Sequence, residues 1–214
     1  SDRVDAPYLP ADRDGSVSES SDLDVTIAEA LESAKNGRSI LFLSRSNAGC
    51  SHIVDDLVAA DVPHIAERGR RVLGASVDSP SSMLRIVRAL NALAAPTGAP
   101  EAEDARILVE GLRSGSEAIV GRSKRLLVST LKAMPNTRRV DRQVLTDGGV
   151  RGDLLVRAWE DPHPAWWRNV TLDSQIDVGA LLTVRDWTII HGGEIAMFAL
   201  ANRVRVVTCH GAKG

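Results

Sequence analysis

Two short runs of strand-forming residues, placed far apart in the chain, constrain the fold most strongly. The first covers residues 40–43 (ILFL), and the second covers residues 204–210, where β-branched residues dominate. A short apolar run between polar segments is typical of a buried strand in a parallel sheet. Because the residues from Pro80 onward carry mostly helical spacing, the sequence predicts an α/β sheet that is interrupted by a helical insertion.

The segments around the first run alternate between helical and extended patterns. Apolar residues at helical spacing predict one helix over residues 24–34 and a second around Ile53. Residues 62–65 predict the start of a further strand. This alternation is typical of an open parallel sheet, so residues 1–78 and 203–214 are predicted to form one α/β domain.

Residues 79–202 are predicted to form the helical insertion. Ser79 and Pro80 have the residue types that start a helix, a capping hydroxyl followed by proline at the first helical position. Residues 176–182 fit no pattern clearly. The predicted helices cover residues 83–93, residues 101–133 as one or two helices, and about 150–160, 162–170 and 184–201.

Composition narrows the class of protein and leaves nucleic-acid binding open. The formal net charge of −2 gives no global basic field, although a motor protein can carry a local basic groove on a neutral body. No apolar run is long enough to span a bilayer, and residues 1–5 lack the apolar core of a signal peptide.

The cysteines indicate a reducing compartment. Cys50 and Cys209 form no CxxC pair, and with five scattered histidines they give no zinc-binding spacing. We therefore expect a cytoplasmic protein with neither a disulfide framework nor a metal site. Because the chain stops directly after a predicted strand, we also expect a piece of a longer protein.

The first predicted strand ends in a polar step, residues 44–47 (SRSN), with Arg45 and Asn47 at its centre. Open α/β sheets place ligand-binding groups at the carboxyl ends of their strands. A guanidinium is a permanent cation whose fork of donors suits phosphate oxygens. The alternative is an ordinary surface ion pair, and these residues alone leave both interpretations open.

The second predicted strand leads into residues 208–214 (TCHGAKG). Thr208 and His210 can donate to phosphates or stack on bases, and Lys213 adds positive charge. Gly214 allows the backbone to approach a ligand closely. The order and spacing differ from those of a Walker A loop, so we do not interpret the segment as one.

Together, the two junctions resemble motifs IV and V of superfamily 1 DNA helicases of the UvrD/Rep/PcrA type. Residues 40–68 (ILFLSRSNAGCSHIVDDLVAADVPHIAER) resemble motif IV, an apolar strand, an Arg-Ser/Thr-Asn step, a helix and the start of the next strand. Residues 204–214 (VRVVTCHGAKG) resemble motif V, a strand followed by Thr-x-His-x-x-Lys-Gly. In that family a largely helical insertion separates the two motifs.

The resemblance implies the second RecA-like, P-loop NTPase-like motor domain of an ATP-dependent DNA helicase or translocase, acting in replication, repair or recombination. Arg45 would reach the γ-phosphate of ATP as an arginine finger, with Asn47 beside it. Lys213 and Gly214 would lie near the cleft that links DNA to nucleotide. ATP and Mg²⁺ would be held mainly by the first RecA-like domain of the same parent chain.

The resemblance also implies DNA contacts. Thr208 and His210 would touch the backbone or a base of single-stranded DNA, and DNA junctions are expected partners as well. Arg138, Arg139 and Arg142 form the most basic local cluster of the insertion and are candidates for binding DNA phosphates. The alternative for these three arginines is a solvated basic turn.

The sequence departs from the family in ways that limit its activity. Ser44 stands where the family often has an aromatic residue that stacks on adenine. The sequence has no Walker A loop, no acidic Walker B pair and no motif VI arginine segment. The insertion is short and lacks the family's usual signature. We therefore expect no ATP hydrolysis by these residues alone.

The tryptophans and cysteines have simpler interpretations. Adjacent Trp166 and Trp167 offer a base-stacking platform, although burial in the core is the commoner fate of tryptophan. Trp159 and Trp187 are expected in the core. Cys50 and Cys209 are expected to be apolar filler near the sheet.

Two alternatives to a motor stay open. One is a catalytically inactive helicase-like module that regulates or binds another protein through its insertion. The other is an unrelated α/β enzyme that happens to share the two junctions. A motor requires residues 40–43 and 204–208 in the same sheet, so the topology tests this interpretation.

Overall fold

The computed structural model describes residues 23–66 and 82–213. These form an α/β structure with a small parallel sheet and mostly helical remaining residues. The strands are β1 (Ile40–Ser44), β2 (Ile65–Ala66) and β3 (Val204–Thr208). The α-helices are α1 (Leu23–Lys35), α2 (Asn47–Ala59), α3 (Ser82–Ala94), α4 (Ala102–Gly111), α5 (Lys124–Lys132), α6 (Arg142–Asp147), α7 (Gly152–Glu160), α8 (Pro164–Trp166), α9 (Val178–Ile190) and α10 (Glu194–Ala201).

The last strand in the sequence lies in the middle of the sheet. The strand order is β1-β3-β2, and both pairings are parallel. The register runs from Ile40 opposite Val204 to Ser44 opposite Thr208. The requirement that residues 40–43 and 204–208 share a sheet is therefore met.

The β1–α2 segment follows the predicted strand–loop–helix pattern. Ser46 has extended backbone angles and caps α2, because its side chain accepts a hydrogen bond from the Gly49 amide. Cys50, Val54 and Leu57 lie on one buried face of α2, as helical spacing requires. The helix ends before Asp61, whose φ of 54° turns the chain toward β2.

The helices between β2 and β3 pack around α3. Its buried residues recur at three- and four-residue spacing, and α3 contacts α4, α7 and α9. The buried hydrophobic residues form one cluster that extends from Ile27 in α1 to Val206 in β3. The core is continuous between sheet and helices, and the division at residues 79–202 into a separate subdomain stays a prediction.

A buried histidine lies at the junction between the sheet and α9. His64 is fully buried, and its Nδ1 lies 2.9 Å from the Val62 carbonyl oxygen. Its ring meets Trp187 edge-on at a centroid distance of 5.6 Å. Burial lowers the pKa of His64, because the charged imidazolium loses its hydration. His64 is thus a neutral packing residue between the sheet and α9.

Several predicted elements differ from those observed. The predicted helix over 184–201 is two helices, because the chain breaks at Gly192 and Gly193, whose φ values of 75° and 122° are left-handed. The predicted helix over 162–170 is the short α8 followed by a π-helical turn, Trp167–Thr171. Helix α6 was not predicted. Ser79 and Pro80 lie outside the described residues.

The tryptophans are mostly in the core. Trp159, Trp167 and Trp187 are buried, as expected, while Trp166 is half-buried and stacks edge-on against Trp167. In the part of the chain that the structure describes, no helix combines the length and apolarity needed to cross a membrane.

Candidate functional site

The ends of β1 and β3 form a common edge of the sheet. Ser44 and Thr208 are the last residues of their strands and are register partners. Beyond them, the Cys209 amide donates a 2.8 Å hydrogen bond to the Ser44 carbonyl. The loops that begin at Arg45 and Cys209 therefore leave the sheet side by side. We call residues 44–47 and 208–211 the carboxyl edge.

The β1 half of the carboxyl edge is a tightly fixed loop. The Ser46 Oγ accepts from the Gly49 amide at 3.1 Å, and the Ser46 amide lies 3.4 Å from the Ser44 Oγ. A Cβ on Gly49 would lie 2.1 Å from that Oγ, so only glycine fits without a shift. This loop holds Arg45 in a fixed backbone position between two anchored serines.

The predicted nucleotide residues of this half are exposed. Arg45 and Asn47 are both open to solvent. Arg45 has no hydrogen bond or ion pair with any residue in the described ranges. The carboxyl edge contains no acidic residue. An exposed guanidinium on an edge without carboxylates suits an anionic group such as a phosphate.

The β3 half separates the two predicted DNA residues. Thr208 is buried, with 5% of its surface exposed, and its Oγ1 accepts a 3.1 Å hydrogen bond from the Gly211 amide. Thr208 thereby shapes the turn that continues as a 3₁₀ helix, Gly211–Lys213. His210 is exposed. Of the two residues, His210 is the one whose side chain is available to a ligand.

The remaining residues of the second junction are only partly accounted for. Lys213 ends the 3₁₀ turn, which places its backbone near the carboxyl edge. Gly214 lies outside the described residues. The roles of Lys213 and Gly214 near a nucleotide stay predictions.

Cys209 belongs to the carboxyl edge and Cys50 lies close to it in α2, and the two have different environments. Cys50 is fully buried, whereas Cys209 is exposed, which corrects the expectation that both are apolar filler. Burial raises the pKa of the Cys50 thiol, the nearby Cys209 raises it further, and a hydrogen bond with Ser44 opposes both. Cys209 is exposed because it begins the turn after β3 rather than continuing the strand.

The three predicted arginines of the insertion lie away from the carboxyl edge. Arg142 donates from Nε to the Gly98 carbonyl at 3.0 Å and from Nη2 to the Leu93 carbonyl at 2.8 Å. It also donates to the Ala95 carbonyl. These acceptors lie at the end of α3 and in the linker after it, so Arg142 caps that helix.

The other two arginines differ from each other. Arg139 donates to the Ala99 carbonyl at 3.0 Å and lies 3.6 Å from the Glu101 carboxylate. Arg138 is exposed, and no described residue pairs with its side chain. Two of the three arginines in this dense segment therefore bond other parts of the helical region. DNA binding by the three residues stays a prediction.

The structure describes no grouping of three or more His, Cys, Asp or Glu side chains that could hold a metal ion, within residues 23–66 and 82–213. No known family model matches the sequence, and neither the curated proteins nor the solved structures contain a significant match.

Proposed function

We propose that this chain is part of the second RecA-like domain of an ATP-dependent DNA helicase or translocase. One observation carries the proposal: β1 and β3, distant in sequence, are adjacent parallel strands whose ends bring Arg45 and His210 to one edge. Ligands of open α/β sheets bind outside the carboxyl ends of the strands. The two segments that resemble helicase motifs therefore meet where such a protein needs them.

The nucleotide half of the proposal rests on Arg45. Its guanidinium is exposed and has no partner among the described residues, which leaves all of its donors for phosphate oxygens. In the proposal, the first RecA-like domain of the parent chain holds ATP and Mg²⁺. Arg45 then donates to the γ-phosphate and stabilises the charge that develops during its transfer to water.

The DNA half rests on His210. Its exposed ring lies beyond the end of β3 and can stack on a base or donate to a phosphate. Thr208 has a supporting role, because its hydroxyl holds the turn through the Gly211 amide. Since both halves share one edge, closure around ATP would move His210 together with Arg45, which is how a motor advances along a strand.

A catalytically inactive helicase-like module is the second candidate. The sequence contains no Walker A loop, and Ser44 stands where an adenine-stacking aromatic residue is expected. A parent chain that has a Walker A loop before Ser1 favours the motor. A parent chain without one favours the module, with the helices between β2 and β3 as its interaction surface.

The first test measures binding of a fluorescently labelled single-stranded oligonucleotide by anisotropy across a salt series. We expect salt-dependent binding, and we expect His210→Ala to weaken it about tenfold, since base stacking contributes roughly 1–3 kcal/mol. His163→Ala is the matched control, because His163 is also exposed but lies before α8. Absence of binding at low salt would favour the protein-interaction module.

The second test measures ATP hydrolysis in a parent chain that includes the first RecA-like domain. Arg45→Ala is expected to lower kcat by about a thousandfold or more, as loss of an arginine finger does. Arg38→Ala is the control, since Arg38 is exposed just before β1. Equal rates for the two variants would rule out the proposed role of Arg45.

A further inference from the structure

Ser44, the last residue of β1, is a common neighbour of both cysteines. The Cys209 amide donates a 2.8 Å hydrogen bond to the Ser44 carbonyl oxygen. Cys50 lies in the first turn of α2, where its amide donates to the Ser46 carbonyl at 3.1 Å. A Cβ on the preceding Gly49 would lie 3.2 Å from the Ser44 Cβ, so this turn packs directly against the end of β1. We call Cys50 and Cys209 the edge cysteines.

Cys209 lies close enough to Cys50 to affect its ionisation. Burial raises the pKa of the Cys50 thiol, the neighbouring Cys209 raises it further, and hydrogen bonding with Ser44 lowers it. Cys209 has this effect because two thiolates a short distance apart repel each other. The backbone contacts with Ser44 and the interaction between the thiols therefore place both side chains at the same end of the sheet.

The edge cysteines differ in their access to solvent. Cys209 is exposed, whereas none of the surface of Cys50 is exposed. A dissolved reagent can therefore reach the Cys209 sulfur but not the Cys50 sulfur. One thiol that is open to solvent, with a second thiol beside it, is the arrangement of redox-sensing cysteine pairs.

Cys209 is the movable member of the pair. Strand pairing fixes β1 and β3, and the Ser46 side chain fixes the start of α2. Cys209 begins the turn that leaves β3, so its side chain can rotate and the turn can shift toward α2. Disulfide-bonded cysteines have Cα atoms roughly 4.4–6.8 Å apart. Such a short span requires two residues that share a neighbour, as the edge cysteines share Ser44.

We propose that the edge cysteines are a reversible oxidation site, which a peroxide converts to a disulfide that joins α2 to the turn after β3. This site goes beyond the proposed function and does not depend on it. In the reducing compartment that the sequence predicts, disulfides are mostly transient and serve in sensing or catalysis. The disulfide would link the loops that carry Arg45 and His210, so oxidation would fix one loop relative to the other.

The oxidation takes two steps. The Cys209 thiol releases its proton and its sulfur attacks hydrogen peroxide, so that an S–O bond forms, the O–O bond breaks, and the departing hydroxide takes the proton as water. The Cys50 sulfur then attacks the Cys209 sulfur of this sulfenic acid. An S–S bond forms, the S–O bond breaks, and hydroxide leaves with the Cys50 proton as a second water. Hydrogen bonding with Ser44 favours the thiolate that Cys50 forms in this second step.

The test treats the full chain with a small excess of hydrogen peroxide, blocks remaining thiols with N-ethylmaleimide in denaturant, and measures the intact mass. We expect a loss of two hydrogen atoms without a maleimide adduct, and full reversal by dithiothreitol. After digestion with trypsin, residues 46–68 and 206–213 should appear as one cross-linked peptide, since each of these peptides contains one cysteine. The fraction of cross-linked chain should not depend on protein concentration, because both thiols belong to one molecule.

Two variants separate the steps, and a third is the control. In Cys50→Ala, the sulfenic acid at Cys209 has no internal thiol to react with, so its trapping by dimedone should rise about tenfold or more. In Cys209→Ser, Cys50 should stay reduced, because peroxide does not reach it. The control combines Cys209→Ser with Ser174→Cys, which keeps one buried and one exposed thiol but places the exposed thiol in the turn before α9. It should form no internal disulfide.

Three results would overturn the inference. Disulfide-linked dimers in place of the internal bond would show that the Cys50 sulfur is out of reach of Cys209. Oxidation of the unmodified chain that stops at a sulfenic or sulfinic acid on Cys209 would show the same. An equal yield of internal disulfide in the control would show that the bond forms as the chain unfolds rather than at the carboxyl edge. The proposed function fails separately, when His210→Ala leaves single-strand binding unchanged.

Discussion

At the carboxyl edge of the sheet, Arg45 and His210 are exposed and without described partners, whereas Arg139 and Arg142 in the helical region donate to backbone carbonyls. This difference arises from the backbone groups that lie near each side chain. The end of α3 leaves carbonyls without helical partners, and Arg142 supplies the missing donors. At the carboxyl edge, strand pairing and the hydroxyls of Ser44 and Ser46 bond nearby backbone groups, and the Arg45 side chain bonds none of them.

This difference shows that the number of arginines in a segment does not predict whether they can bind a ligand. Residues 138–142 contain three arginines, of which Arg138 alone is exposed without a partner. Arg45 is the single arginine of residues 44–47, yet it is exposed and pairs with no described residue. What decides is whether unsatisfied carbonyls lie within reach of each guanidinium.

Substitution of the capping arginine gives the largest expected effect. Arg142→Ala removes hydrogen bonds to the carbonyls of Leu93, Ala95 and Gly98, and should lower the free energy of unfolding by about 2–3 kcal/mol. Arg45→Ala should change it by less than about 0.5 kcal/mol, because Arg45 has no partner to lose. Urea unfolding followed by circular dichroism measures both. Equal destabilisation would remove the distinction between the two regions.

The carboxyl edge was predictable from sequence because its parts are local. An apolar run predicts β1, the polar step after it predicts the loop, and apolar residues at helical spacing predict α2. A β-branched run predicts β3. The sequence pattern predicted that both strands belong to one sheet, but their direct pairing was not predicted. The burial of Thr208 was not predicted, because it depends on the turn that returns the Gly211 amide to its hydroxyl.

The helical region was less predictable, since its details depend on tertiary contacts. Helix α6 has only six residues, and its only buried side chain is Leu145, too little for a periodic signal. The role of Arg142 depends on a linker more than 40 residues earlier in the chain.

Glycine offers a second comparison between the two regions. Gly49→Ala should destabilise by about 1–2 kcal/mol, because its Cβ would lie 2.1 Å from the Ser44 Oγ and displace the loop that holds Arg45. Gly152→Ala, at the first residue of α7, meets nothing within 4 Å and should stabilise by about 0.5 kcal/mol. Changes of opposite sign in the free energy of unfolding, measured with urea, would support this comparison. If Gly49→Ala leaves that free energy unchanged, the Ser44 side chain rotates away from the new Cβ.

Histidine offers a third comparison, through pH. Burial lowers the pKa of His64 in the folded chain, while the unfolded value stays near 6.5. The unfolded state therefore binds more protons, so His64 makes stability fall as pH drops below about 6.5, by up to about 1.4 kcal/mol per pH unit. Above that pH, His64 is neutral in both the folded and the unfolded state, so it does not make stability depend on pH.

The measurement is the difference in unfolding free energy between the unmodified chain and His64→Phe at pH 7.5 and at pH 5.5. Phenylalanine keeps a ring against Trp187 and does not titrate. Burial raises the pKa of Asp104 and Glu194, which gives the opposite pH dependence, but both residues are common to the two proteins and cancel. The same pH dependence in both proteins would show that His64 is not buried in its neutral form.

The smallest expected effect distinguishes two serines that precede helices. Ser46→Ala removes the hydroxyl that accepts a hydrogen bond from the Gly49 amide, and it should lower the free energy of unfolding by about 1 kcal/mol. Ser123→Ala should cost almost nothing, because Ser123 precedes α5 without a side-chain capping bond. If Ser46→Ala also weakens single-strand binding, the cap at the carboxyl edge positions the ligand-binding loop as well as the helix. A loss of stability with unchanged binding would confine its role to α2, and Arg45 would then owe its position to strand pairing alone.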